Sequence, residues 1–127
     1  MGSQGVRDRI ALLLMLLAAL GAVYAAVASI AEVTSAGPST QQVYAWRMVS
    51  FTMFAAVFAL LGIWPRRYPY LWEITIINKI ALTFVELVLI NQASQAVANG
   101  VVDGILSVLL IAAYLLTRGH QTTRAKA

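Results

Sequence analysis

Four apolar runs, at residues 10–33, 42–63, 71–90 and 97–117, constrain this chain more than any other feature. A helix needs about 20 apolar residues to cross a bilayer core of about 30 Å, so each run has the length of one span. Only 11% of the 127 residues are charged, against about 25% in an ordinary soluble domain. Seven of the nine Lys and Arg residues lie outside the runs. A soluble domain of this length needs more polar surface. A disordered chain needs low hydrophobicity and high net charge, whereas 61% of this one is hydrophobic. None of the runs alternates as the strands of a membrane barrel must. The expected fold is all-α: a polytopic integral membrane four-helix bundle, with residues 1–127 forming a single domain.

Two helix starts are open. The second span can be capped by Ser39 or Thr40, with Gln41 and Gln42 in its first turn. The fourth can begin at Val101, or near Gln95, which places Asn99-Gly100 inside the helix.

Basic residues orient the spans. Arg7 and Arg9 precede the first run, Arg66 and Arg67 lie between the second and third, and Arg118, Arg124 and Lys126 follow the fourth. The first loop (34–43) and the third (91–100) contain no Lys or Arg. With four spans, both termini and the second loop share a side, and the positive-inside rule makes that side the cytoplasm of a cell membrane. Trp64, Tyr68, Tyr70 and Trp72 flank the second loop as expected interfacial anchors. A rival is a secretory leader, with Ser29 and Ala31 as the small residues before cleavage. Its apolar core would exceed the usual length of about 7 to 15 residues.

The net charge of +4 does not point to nucleic acid, because the basic residues are spread over short segments next to helix ends. Such residues meet anionic lipid headgroups. With no cysteine and one histidine, His120 in the polar tail, thiol nucleophiles and the usual metal or haem sites have no ligands. No metal and no cofactor is expected.

Functional candidates are the polar residues inside the runs. Four of the five acids, with Arg47 and Lys79, lie within the runs or at their ends. A charge at the bilayer centre costs about 2.5 to 3.5 kcal/mol even on lenient scales, so such residues face the bundle interior and pair. Depth follows from a rise of about 1.5 Å per residue. Glu32 falls at the outer end of the first helix, Arg47 in the outer third of the second, and Glu86 in the outer third of the third. Lys79 lies near the midplane, and Asp103 in the outer third of the fourth helix or deeper. On the third helix Lys79, Glu86, Thr75 and Thr83 share a face, with Asn78 beside it. Asp103, Ser107 and Tyr114 fall close together on the wheel of the fourth. Below Glu32 on the first helix runs a stripe of small residues, Ala28, Ala25, Gly21 and Ala18, where a neighbour can approach closely.

These placements give an expected cavity open to the outer side, walled by Glu32, Arg47, Glu86 and Asp103. Lys79 forms its floor, and Phe51, Phe54 and Tyr114 line it. Plainer roles stand beside this one: Glu32 as an interfacial residue, Arg47 snorkelling, Asp103 as a first-turn acid on the helix dipole, and Lys79 with Glu86 as a structural salt bridge.

Three function classes fit. The first is binding of, or acid–base chemistry on, a small lipophilic substrate: isomerisation, cyclisation or epoxide opening. There Glu86, held ionised by Lys79, is the base and Glu32 or Asp103 the acid. Arg47, Lys79, Asn78 and Tyr114 bind and orient the substrate. The second is proton-coupled or ionic transport, which four helices support only as a homodimer or with a partner. Small multidrug exporters have this size, but they need an acid in the middle of the first helix, and none occurs between Ile10 and Ala31. The third is an accessory subunit whose charges pair with another membrane protein. Expected partners are membrane lipids, a small lipophilic ligand, and a second copy or a membrane partner, with no nucleic acid.

Overall fold

A computed structural model describes residues 2–92 and 95–121. Arg124 and Lys126, counted above among the orienting basic residues, lie outside the described residues. The described chain forms four α-helices: α1 (Ser3–Ser35), α2 (Gln41–Ile63), α3 (Leu71–Val88) and α4 (Ala96–Thr117). Three of them, α1, α2 and α4, are long and apolar enough to cross a membrane. The remaining helix, α3, carries three charges, Glu73, Lys79 and Glu86.

The helices stop where local chemistry stops them. α1 starts seven residues before its apolar run, because polar residues such as Gln4, Arg7 and Asp8 also extend a helix. In its first turns Gln4 Nε2 donates to Asp8 Oδ1 at 2.8 Å, four residues on. The helix ends at Ser35, with Ala36 already extended before Gly37-Pro38. Thr40 takes the N-cap position of α2, yet its hydroxyl donates back to the Gly37 carbonyl at 3.4 Å and not into the helix. α3 ends two residues short of the apolar run. α4 takes the earlier of its two starts, so Asn99 and Gly100 lie inside it. Its other end closes at Arg118, in the left-handed region at φ 54°, where the Gly119 N–H reaches the Tyr114 carbonyl at 3.0 Å.

α1 packs against both α2 and α4, and α3 packs on α4, while α2 and α3 touch only sparsely. The buried stripe of α1 is Ala11, Met15, Ala18 and Ala22, which meets Phe58 and Leu61 of α2 and Leu110 and Ala113 of α4. The expected stripe through Gly21 and Ala28 is therefore rotated out of the interface. Both residues are exposed, and a Cβ added at Gly21 would meet nothing within 4 Å. The closest crossing is instead at Gly62, where an added Cβ would lie 2.9 Å from Met15 Cβ.

Unlike a water-soluble bundle, this one is apolar on its surface as well as in its core. Leu13, Leu20, Ile77, Phe84 and Val108 are each between 65% and 67% exposed, while Ser29, Thr75, Lys79, Ser107 and Thr117 are buried. The buried hydroxyls are satisfied within their helices, as Thr75 Oγ1 is by the Leu71 carbonyl at 2.7 Å.

One end of the bundle is closed by Arg66. Its guanidinium donates to both Asp8 carboxylate oxygens, at 3.0 and 2.7 Å, and to the Thr117 carbonyl at 2.7 Å. Gln4 and Arg7 donate to the Leu116 and Leu115 carbonyls, so side chains satisfy the last carbonyls of α4. Asp8 precedes the apolar run at Ile10, and the Arg66 hydrogen bond holds its carboxyl below the usual carboxylate range. Trp72, expected at an interface, is a core residue at 1% exposure whose Nε1 donates to the Pro65 carbonyl at 2.7 Å. A left-handed Tyr70 (φ 64°) starts α3 and turns the following Trp72 inward.

Candidate functional site

At the end away from Arg66, the interior charges sort into two pairs and one remaining acid. α1 and α2 bring Glu32 and Arg47 into a salt bridge through Oε2 and Nη2. Arg47 Nη1 also donates to Gln95 Oε1 at 3.3 Å, and the guanidinium lies over the Tyr44 ring at 5.3 Å. Its Nε is buried without an acceptor.

Deeper in the bundle, Lys79 of α3 reaches Asp103 of α4 at 3.1 Å. The lysine side chain is 5% exposed and its Nζ sits 4.0 Å from the Phe54 ring centroid. A buried ammonium needs such company, since desolvation otherwise outweighs what the fold gains. Asp103 lies low enough for this because α4 begins at Ala96, which places the acid two turns into the helix.

Glu86 is the acid left over. Sequence reasoning pairs it with Lys79, since the two share a face of α3, but the lysine is paired with Asp103 instead. They do share the inward face, but seven residues separate them by about 10 Å along the axis. Asp103 lies directly across from the lysine and takes it. Among the described residues no hydrogen bond or ion pair holds Glu86. The other four acids all have partners: Asp8 with Arg66, Glu32 with Arg47, Asp103 with Lys79, and Glu73 with the Tyr114 hydroxyl at 3.1 Å.

Glu86 is half-buried and lines an open hollow of about 430 Å³ with Tyr44, Leu89, Gln92, Gln95, Ala96 and Asn99. Close approach of two helices sets its floor, since a Cβ added at Gly100 would lie 3.2 Å from Glu86 Cβ. The glycine lets the start of α4 draw up against the carboxylate-bearing turn of α3. Sparse contact between α2 and α3 leaves the flank beside Tyr44 open.

The expected cavity thus resolves into separate parts. Glu32, Arg47, Lys79 and Asp103 do not line the hollow, though Gln95 joins it to Arg47. Tyr114 lies at the opposite end, bonded to Glu73 and packed near Trp72 and His120. Asn78 faces outward from α3. The hollow's carboxamides were missed in the sequence. Gln92 lies in the turn after α3, Gln95 takes the N-cap position of α4 and Asn99 is inside it, so the three meet through the reversal between the two helices, which composition does not reveal.

Chemically, the hollow offers one carboxyl group, three carboxamides and a phenol. It can accept hydrogen bonds from a ligand's polar head and exchange a proton with it. Among the described residues no group of His, Cys, Asp and Glu side chains is arranged to hold a metal ion. No family of known proteins matches the chain, and neither does any curated protein or solved structure.

Proposed function

We propose that the chain is an integral protein of the cell membrane, with both termini on the cytoplasmic side. Its outer end binds a small lipophilic molecule at Glu86 and acts on it by acid–base chemistry. The membrane assignment rests on three helices long and apolar enough to cross a bilayer and on the apolar outward face, where Leu13, Leu20 and Phe84 are exposed. Sidedness rests on Arg7, Arg9, Arg66, Arg67 and Arg118, which gather at the end closed by Arg66, while the opposite loops carry no Lys or Arg.

The observation that carries the functional reading is Glu86, the one acid without a partner among the described residues, in an open hollow at the end away from Arg66. A carboxyl group left unpaired among apolar helices is costly unless something is to meet it. The ligand's head supplies hydrogen-bond donors to Glu86, Gln92, Gln95 and Asn99. Its apolar body reaches the hollow from the bilayer through the gap between α2 and α3. Proton exchange falls to Glu86, in place of the division between Glu86 and a second interior acid expected from sequence, because Glu32 and Asp103 are both held in ion pairs. Arg47, fixed by Glu32, donates to Gln95 Oε1 and so orients the Gln95 carboxamide that faces the ligand.

The test compares small molecules extracted from the wild-type protein and from Glu86→Gln, both purified in the same nanodiscs and analysed by mass spectrometry. A species enriched over bulk lipid in the wild type and lost in the variant is expected. Equal extracts from two folded proteins contradict the assignment.

A further inference from the structure

The outward face of α3 carries one polar side chain where an integral helix has least use for it. Asn78 is exposed near the middle of the helix, and no hydrogen bond among the described residues reaches its carboxamide. Its neighbours on that face are Leu71, Ile74, Ala81, Val85 and Val88. Of these, Ile74, Val85 and Val88 are 63%, 46% and 58% exposed. Leu71, at the start of this face, packs partly against the core, but from Ile74 onward nothing among the described residues covers it, because the main neighbour of α3 is α4 and contact with α2 is sparse.

The spacing of these residues is specific. From Leu71 through Ile74, Asn78, Ala81 and Val85 to Val88 the steps are three, four, three, four and three. That is the a/d seam of a two-stranded coiled coil, with Asn78 at the central a position. A single asparagine at an a position fixes register and favours two strands, because its carboxamide bonds to the same residue of the partner helix. In hydrocarbon no water competes for that bond, and small residues such as Ala81 let the helices approach closely enough to make it.

From this we infer that α3 is a self-association helix: two copies of the chain pack α3 against α3 about a two-fold axis along the membrane normal, with the two Asn78 carboxamides bonded to each other. The occupant is a second copy rather than another protein because the face is self-complementary. A carboxamide is both donor and acceptor, and two copies inserted with the same topology present it at the same depth on parallel helices. The inference rests on the membrane placement proposed above but not on the ligand at Glu86.

The chain has no cysteine, so disulfide mapping needs no background removal. Single variants Ile74→Cys and Val85→Cys keep Asn78 and lie on the seam. Ile80→Cys, 49% exposed, lies about 120° from Ile74 and about 140° from Val85 around the helix and is the control. In isolated membranes oxidised with copper phenanthroline, the two seam variants give a covalent dimer of twice the chain mass, and the control does not. Adding Asn78→Leu to Ile74→Cys weakens association about tenfold and lowers the yield accordingly, whereas Asn78→Gln preserves it. Three outcomes overturn the proposal: no dimer at either seam position, equal yields at all three positions, or an adduct of another mass. Resistance of the same membranes to carbonate extraction tests membrane placement separately, so its failure is distinguishable from a failure of the dimer.

Discussion

Lys79 is the residue whose environment constrains the interior most. An ammonium at 5% exposure is tolerated because the Asp103 carboxylate lies at 3.1 Å and the Phe54 ring at 4.0 Å. Removing one partner leaves the other charge buried alone, so Asp103→Asn is expected to cost about 3 to 5 kcal/mol in stability. The double variant Lys79→Met/Asp103→Leu removes both charges and returns close to wild type. Thermal unfolding in detergent followed by circular dichroism checks both. A double variant as unstable as the single one would show that the pair is needed for more than charge balance. The inward-facing positions of Lys79, Glu86 and Asp103 on their helices were legible in the sequence, because the angle per residue is fixed for a helix. Pairing was not, because it depends on how neighbouring helices are rotated against one another. The placement of Tyr114 shows the same limit. Its angle on α4 matches that of Asp103, yet eleven residues put it about 16 Å away along the axis, beside Glu73.

Between elements, α1 and α2 cross closely at Gly62. Gly62 lets the backbone of α2 close on Met15 and Leu12 of α1. A methyl group there would stand 2.9 Å from Met15 Cβ, an atom that moves only with its backbone. Gly62→Ala is therefore expected to destabilise the protein by about 1 to 3 kcal/mol through overpacking. Gly21→Ala on the exposed face of α1 should be neutral or stabilising, because alanine is the better helix former. The difference in melting temperature between the two variants measures the crossing, and a Gly62→Ala protein as stable as Gly21→Ala would mean the helices separate without cost. Existence of the helices could be read from the apolar runs. Their ends could be read only partly, because the first turns of α1 are polar and Gln95 starts α4 inside a segment with the composition of a loop. The choice of Ala22 over Gly21 as the buried residue needed a neighbour's position, which composition does not carry.

Taken whole, the molecule has two unlike ends. One is closed by Arg66, Gln4 and Arg7, which satisfy the terminal carbonyls of α4 and tie α1 to the loop after α2. The other is joined across α1 and α2 by Glu32 and Arg47, and opens beside Glu86. That asymmetry sets the open hollow beside Glu86 at the end of the bundle opposite Arg66. Glu86 as the reactive acid is the central claim, and an apolar carbodiimide tests it most directly. This reagent enters from the bilayer and forms a stable adduct with carboxyl groups that are accessible and not held in an ion pair. Peptide mapping of the purified protein labelled in nanodiscs is expected to place the adduct at Glu86, with no labelling of Glu86→Gln. Adducts at Glu32 or Asp103 with Glu86 unmodified would contradict it.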